Sequence, residues 1–269
     1  MGSGSYSSTY HTKQPQKLTK MKNYFSYCLV LLIICFTSCN FTEELTLNEN
    51  GSGRLTVKFD GSELLQMGGK TNPEEEANGK VLDSFISFKE LLENKKDSIA
   101  LLTPEEQKRL KKLEPFNLHL VMDENKGDMK IDIYTDFKKI SEVSDGFSAF
   151  QNIGAFGNTG LNVQSDKSSF SMAEATEMKY TFKGSEFTRT NTIVDFDLLQ
   201  QNVDSLGQMG LFLESSMYKL IYHFPRPVKS VSKKGALFSE DRKTIIIEVP
   251  FMDYMRDPEI LNIEVILAK

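Results

Sequence analysis

The most reactive side chains of this 269-residue chain are three cysteines, and all lie near its start: Cys28, Cys35 and Cys39. A cysteine can close a disulfide, hold a metal, sit in a core as a thiol or take a covalent group, and its surroundings decide among these. Cys28 and Cys35 belong to the uncharged apolar run Cys28–Phe36, which follows Lys22 and leads into the small residues Thr37 and Ser38. A positive start, a short apolar stretch and a small-residue zone are the parts of a secretory signal that is removed on export. The run falls well short of the roughly 20 apolar residues that a spanning helix needs. Removal takes Cys28 and Cys35 with it. Cys39 then stands alone at the first mature position, with no thiol to pair with and no cysteine partner for a metal. Attachment is the chemistry left to it.

In this setting Phe36-Thr37-Ser38-Cys39 resembles the lipobox of bacterial lipoproteins, with Phe36 standing where that family usually has Leu. The resemblance implies lipidation of Cys39: its thiol takes a diacylglycerol, the peptidase cuts before it, and the new amino terminus is acylated. Two or three acyl chains attach a protein stably where one holds it only marginally. The implied location is the bacterial cell envelope. There the chain would be lipid-anchored in the outer membrane of a Gram-negative bacterium, on its periplasmic or surface face, with the membrane as partner. Residues 1–20 are polar and show no helical or strand period. They are expected to be a disordered or wrongly assigned extension ahead of a start at Met21. The expected organisation is this extension, a signal over 21–38 and one exported domain over 39–269.

The segment removed carries Lys13, Lys17, Lys20 and Lys22 and no acid, so the mature chain is more acidic than the net −5 of the whole. Such a balance argues against nucleic acid as a partner. Two histidines remain, His119 and His223, and neither has a neighbour at the spacing of H-E-x-x-H. His119 lies opposite the apolar side of its strand and is expected at a solvent-facing rim. His223 stands between Tyr222 and Phe224, where it could line the mouth of a pocket. The glycine-rich piece Gly154–Gly160 lacks the Lys-Ser/Thr of a phosphate loop, and no G-x-S-x-G occurs. Glu43-Glu44 and Glu74–Glu76 read as solvated charge. The first pair, just after the cysteine, also resembles the surface-export signals of some Gram-negative lipoproteins. No residue is singled out as catalytic, cofactor-binding or metal-ligating, and no cofactor is expected.

The elements that would position these residues follow from periodicity. Leu45 and Leu47, then Leu55, Val57 and Phe59, alternate with polar neighbours across "NENGSG", whose Asn50-Gly51 suits a tight turn. Leu64–Met67 opens a short helix, and Gly68–Lys80 is a polar loop. Apolar residues from Val81 to Asn94 recur at spacings of three and four, which predicts a helix. Thr103-Pro104-Glu105-Glu106 reads as an N-cap, a first-turn proline and acids placed for the helix dipole, so a second helix is expected to about Leu113. A second hairpin pairs Phe116–Met122 with Met129–Ile133. Ile140–Ile153 is expected to be helical with Val143, Phe147 and Phe150 inward, and Gly154–Ser169 to be a loop. Strands are predicted at Phe170–Ala173, Met178–Phe182 and Phe187–Val194, and a helix at Phe196–Leu213 weakened by Gly207 and Gly210. Strands over Tyr218–Phe224, Thr244–Val249 and Leu261–Leu267 finish the chain. The fold class is α+β: a single compact domain with a mainly antiparallel sheet of hairpins and helices packed on one face.

The opening "ELTLNENGSGRLTVKF" and the closing "YHFPRPVKSVSKKGALFSEDRKTIIIEVPF" are similar to the first and last patterns of LppM-type lipoprotein domains. That resemblance implies a compact, membrane-tethered α+β domain without catalysis, with an apolar cavity for lipid; Gly68–Lys112 is insertion-like against it. The functional expectation is a non-enzymatic envelope lipoprotein that binds or scaffolds a lipid or protein ligand. The alternative is an envelope hydrolase whose site is assembled from scattered carboxylates and His223.

Overall fold

Strand β1 (Asn40–Leu47) points Phe41, Glu43, Leu45 and Leu47 to one side, and β2 (Gly53–Asp60) answers with Leu55, Val57 and Phe59. They pair antiparallel, from Asn40 opposite Asp60 to Leu47 opposite Gly53. The turn is the expected one: Gly51 sits at φ 81° and donates its N–H to the Asn48 carbonyl at 3.0 Å. Asn50 locks it further, its side-chain oxygen accepting from the Ser52 N–H at 3.1 Å. These features belong to a computed structural model that describes residues 40–68, 81–143 and 175–269, together with Met1, Gly2, Gly146 and Ala149.

Among the described residues there are twelve strands in two sheets. The remaining strands are β3 (Val81–Ser87), β4 (Asn117–Asp123), β5 (Asp128–Phe137), β6 (Thr176–Lys183), β7 (Glu186–Ile193), β8 (Met217–His223), β9 (Val228–Val231), β10 (Leu237–Phe238), β11 (Thr244–Pro250) and β12 (Ile263–Leu267). The large sheet has the order β10-β11-β8-β1-β2-β5-β4-β3, and the small one β6-β7-β12-β9. Both expected hairpins form, as does β6–β7, whose turn uses Gly184 at φ 62°. The pairing is antiparallel except between β1 and β8, which run parallel with Phe41 opposite Tyr218 and Leu45 opposite Tyr222. No local signal announces this long-range contact, and it places the first strand in the middle of the large sheet.

The helices are short: α1 (Ser62–Gly68), α2 (Phe88–Asn94), α3 (Lys96–Ile99), α4 (Pro104–Lys111), α5 (Phe196–Ser205), α6 (Gly207–Leu213) and α7 (Phe251–Arg256). Helix α4 starts on a full capping box, with Thr103 and Glu106 each satisfying the other's backbone N–H. The predicted helix over Val81–Asn94 is corrected: its first half is β3, and only Phe88–Asn94 is helical. Spacings of three and four fit Leu82, Phe85, Phe88 and Leu91, but Leu82 and Ile86 also alternate with exposed Val81 and Phe85. Pairing with β4 along its whole length decides for the strand, because a ladder of backbone hydrogen bonds outweighs a weak local propensity. The expected helix at Phe196–Leu213 divides at Gly207, whose φ of 48° interrupts α-helical geometry. Of Ile140–Ile153, a 3-10 turn covers Ile140–Glu142 and Val143 is buried, while Phe147 and Phe150 lie outside the described residues. The strand predicted at Phe170–Ala173 and the loop Gly154–Ser169 also lie outside them.

The expectation that helices cover one face of the sheet is corrected in part: the small sheet shares the core face of the large one with them. Phe187 of β7 meets Tyr222 of β8 edge-on at 5.6 Å, and Tyr254 of α7 lies on Tyr218 at 4.4 Å. Helix α7 is an unpredicted element. It runs between Pro250 and Pro258 and buries Phe251, Met252, Tyr254 and Met255. Phe251 stacks on Phe41 at 4.3 Å, so the last quarter of the chain closes over its first strand. No helix among the described residues is long and apolar enough to cross a membrane.

Candidate functional site

Side chains alternate across a sheet, so strand register sorts residues into rows on each face. One row on the core side reads Ile247, Leu220, Glu43, Val57, Ile133, Leu118, Ile86. A single carboxylate stands in an otherwise apolar line. Glu43 is 1% exposed, which corrects its reading as solvated charge. Its pattern carried the signal: it occupies the inward phase of Phe41, Leu45 and Leu47. Arg189 does the same on β7, in phase with Phe187, and is 0% exposed.

The two meet between the sheets. Arg189 donates through Nε and Nη2 to the two carboxylate oxygens of Glu43 at 3.2 and 3.0 Å, and through Nη1 to the Leu261 carbonyl at 3.1 Å. The hydroxyls of Tyr180 and Tyr218 donate to Glu43 at 2.9 and 3.0 Å, and that of Tyr222 donates as well. Burial pushes the Glu43 carboxyl up, but the Arg189 charge and the converging donors outweigh it and hold the group below its usual range. Burial would pull Arg189 down, yet the Glu43 charge leaves it well above the usual guanidinium value. Burial and the Glu43 charge together raise the Tyr222 hydroxyl well above 10.0. A carboxylate with five donors has no acceptor capacity left for a ligand. This cluster ties the two sheets together.

The opposite face is open. Its corresponding row reads Glu248, Lys219, Thr42, Lys58, Asp132, His119, Phe85. Every member is half-buried or exposed. Thr42 is the shortest side chain between two lysines, so the surface dips there. A depression of about 480 Å³ is lined by Thr42, His119, three lysines (Lys58, Lys130 and Lys219) and two aspartates (Asp60 and Asp132), among others. A second, of about 330 Å³, adjoins it around Arg54, Thr56, Lys58, Phe85, Asp132 and Tyr134. Exposed ion pairs frame both: Lys58 with Glu44 at 2.5 Å, Lys219 with Glu248 at 2.6 Å, and Arg54 with Asp136 at 2.7 Å. His119 donates from Nε2 to the Asp83 carboxylate at 2.8 Å and stacks on Phe85 at 3.9 Å.

Asp132 differs from its neighbours. It lines both depressions, is half-buried, and its carboxylate makes no hydrogen bond or ion pair with any described residue. Burial raises its carboxyl above the usual range, against the pull of Lys58 and His119. Sequence reading did not single out this carboxylate, which stands between Lys58 and His119 on the open face. Its signal was its place in the outward phase of β5, opposite His119.

The residues singled out in the sequence fall as follows. Cys39 and the lipobox Phe36, Thr37 and Ser38 lie outside the described residues, as do Gly154–Gly160 and Glu74–Glu76; the next residue, Asn40, begins β1. His119 is at the rim of the outer face, as expected. His223 lies on the same face, with Nδ1 on the Thr244 hydroxyl at 2.9 Å and Nε2 3.4 Å from Glu44. The structure therefore joins Glu44 and His223 on the outer face and sends Glu43 inward. Among the described residues no three of His, Cys, Asp and Glu converge as metal ligands.

No family model and no curated protein matches the chain. Among solved structures, the NMR structure of the folded domain of Mycobacterium tuberculosis LppM is similar at a TM-score of 0.36. The two share 7% identity over 86% of this chain and 89% of that one. At that identity the likeness assigns no residue a role.

Proposed function

We propose that the protein is a non-enzymatic lipoprotein of the bacterial envelope, anchored through acylated Cys39, that binds a ligand on the open face of its large sheet. The observation that carries the binding reading is Asp132. A carboxylate with no protein donor, shared by two adjoining depressions whose lysines and Arg54 stand beside Asp60, is an arrangement that a ligand's hydroxyl or amine completes. The filled space between the sheets supports an external ligand over one held in an interior apolar cavity, since Glu43, Arg189 and three tyrosines occupy that space. The anchor reading rests on the signal and on the solitary Cys39.

Lysine acetylation footprinting tests the binding face. With the protein in its native envelope, Lys58, Lys130 and Lys219 should react several-fold more slowly than in the purified protein, while Lys89 and Lys108 on the helices should not change. Equal rates at all five would refute a bound ligand there. Fatty-acid labelling of wild type and Cys39→Ala tests the anchor separately; label should enter the wild type alone.

A further inference from the structure

The chemistry of the open face narrows the ligand. From Lys219 on β8 to Phe85 on β3 the row crosses β1, β2, β5 and β4, a distance of about 24 Å at the usual strand spacing. The two depressions share Lys58, His119 and Asp132, so they form one continuous shallow trough and suit an extended chain more than a compact molecule. Lys58, Lys130 and Lys219 gather in it beside Asp60 and Asp132, although the whole chain carries a net charge of −5. Their ion pairs with Glu44 and Glu248 are exposed, and such pairs are weak enough to be exchanged for a ligand's anion. Asp132 asks for the opposite, a hydroxyl or amine donor. At the far end Phe85 is 70% exposed, backed by its stack on His119, and Tyr134 lines the same depression. An exposed aromatic ring held in place is a surface on which an apolar ring face can pack.

We infer that this trough binds an acidic oligosaccharide, with its carboxylates or other anionic substituents on Lys58 and Lys219 across Thr42, a ring hydroxyl donating to Asp132, and a sugar face on Phe85. The assignment rests on the binding-face reading above. An acidic glycan carries anion, hydroxyl donors and an apolar ring face on every unit, and the trough offers a counterpart to each. An acidic peptide matches the lysines but brings no sugar hydroxyl for Asp132 and no ring face for Phe85.

Calorimetric titration of the full chain with trigalacturonic acid tests the inference, with maltotriose and hexaglutamate as comparison probes. The acidic trisaccharide should bind saturably and about tenfold more tightly than maltotriose, since charge-assisted contacts are the stronger ones. Lys58→Ala combined with Lys219→Ala should weaken it about tenfold, and Asp132→Asn should weaken it several-fold without weakening hexaglutamate. These side chains face solvent, and cooperative thermal melting no lower than that of wild type would show that each variant is folded. Absence of saturable binding, or binding indifferent to the lysine pair, overturns the glycan assignment. Hexaglutamate binding as tightly as the trisaccharide overturns it in favour of an acidic peptide. Footprint protection of Lys58, Lys130 and Lys219 in the envelope would still stand in those cases, so the ligand class and the binding face fail separately.

Discussion

Replacing Glu43 with Gln tests the account of the interior most sharply. The change keeps size and shape but removes the charge that faces Arg189, whose side chain is 0% exposed. Arg189 keeps its bond to the Leu261 carbonyl, and no other carboxylate among the described residues pairs with it. Breaking a buried ion pair by removing one partner costs about 3–5 kcal/mol. An amide also offers one acceptor oxygen in place of two, while Tyr180, Tyr218 and Tyr222 all donate to the carboxylate. For a domain of this length each kcal/mol lowers Tm by about 2–4 °C, so Glu43→Gln should melt at least about 6 °C lower. Adding Arg189→Met removes the orphaned cation, and the double variant should recover on the order of half the loss. The pH dependence has a definite sign. Glu43 is held below its unfolded value, so its contribution is present above about pH 4.3 and fades as pH falls through the lower folded value. The stability gap between wild type and Glu43→Gln, followed by urea unfolding, should therefore shrink in acid. A gap under about 1 kcal/mol at neutral pH, or a double variant equal to the sum of the singles, would refute the ion-pair account.

Three further outcomes are expected. Tyr222→Phe removes a hydroxyl that donates to a buried carboxylate and should cost about 1.5–3 kcal/mol in urea unfolding; because that hydroxyl is raised well above 10.0, wild type should also lose stability above about pH 10 in a way the variant does not. Asp132→Asn should raise Tm slightly at neutral pH and leave it unchanged in acid, since burial raises that carboxyl and its ionised form is the one the fold disfavours. Gly53→Ala drives a methyl group into the Thr46 carbonyl oxygen and against the Phe137 ring, which should destabilise the first hairpin by about 1–3 kcal/mol; thermal melting measures it.

The hairpins were legible because each is a local statement, a glycine-bearing turn between two alternating runs. Asn50-Gly51 and Gly184 both adopt the positive-φ turns that their residues suit. Helix α4 was legible for the same reason, its Thr103 cap and Glu106 lying three residues apart. Val81–Ser87 was not, because a seven-residue edge strand with two adjacent apolar residues satisfies helical and strand spacing alike, and only β4 resolves it. Glu43 was partly legible. Its phase with Phe41 and Leu45 pointed inward, but a buried carboxylate is tolerable only with a partner, and Arg189 lies 146 positions away on another sheet. Asp132 was hidden for a related reason. Its isolation is a property of the finished sheet, in which Lys58 turns to Glu44 and His119 to Asp83.

The first strand links these features to the proposed anchor. On the reading that Cys39 carries acyl chains, no linker separates the lipid from β1, which begins at Asn40. A membrane attachment with so short a leash passes any pull directly into β1, and β1 is held more firmly than an edge strand. It is paired on both sides, by β2 and β8, and its Glu43 is fastened to the small sheet through Arg189 and Tyr180. The next residue on the other face, Thr42, forms the dip between Lys58 and Lys219. Force or displacement at the anchor thus reaches the interior lock and the binding trough through one strand. Weakening the lock with Glu43→Gln should consequently loosen β1 and reduce affinity at the trough without touching a side chain on that face. Calorimetric titration of that variant below its melting temperature should show weaker trigalacturonate binding than wild type, and an unchanged affinity would show that β2 and β8 alone hold Thr42 in place.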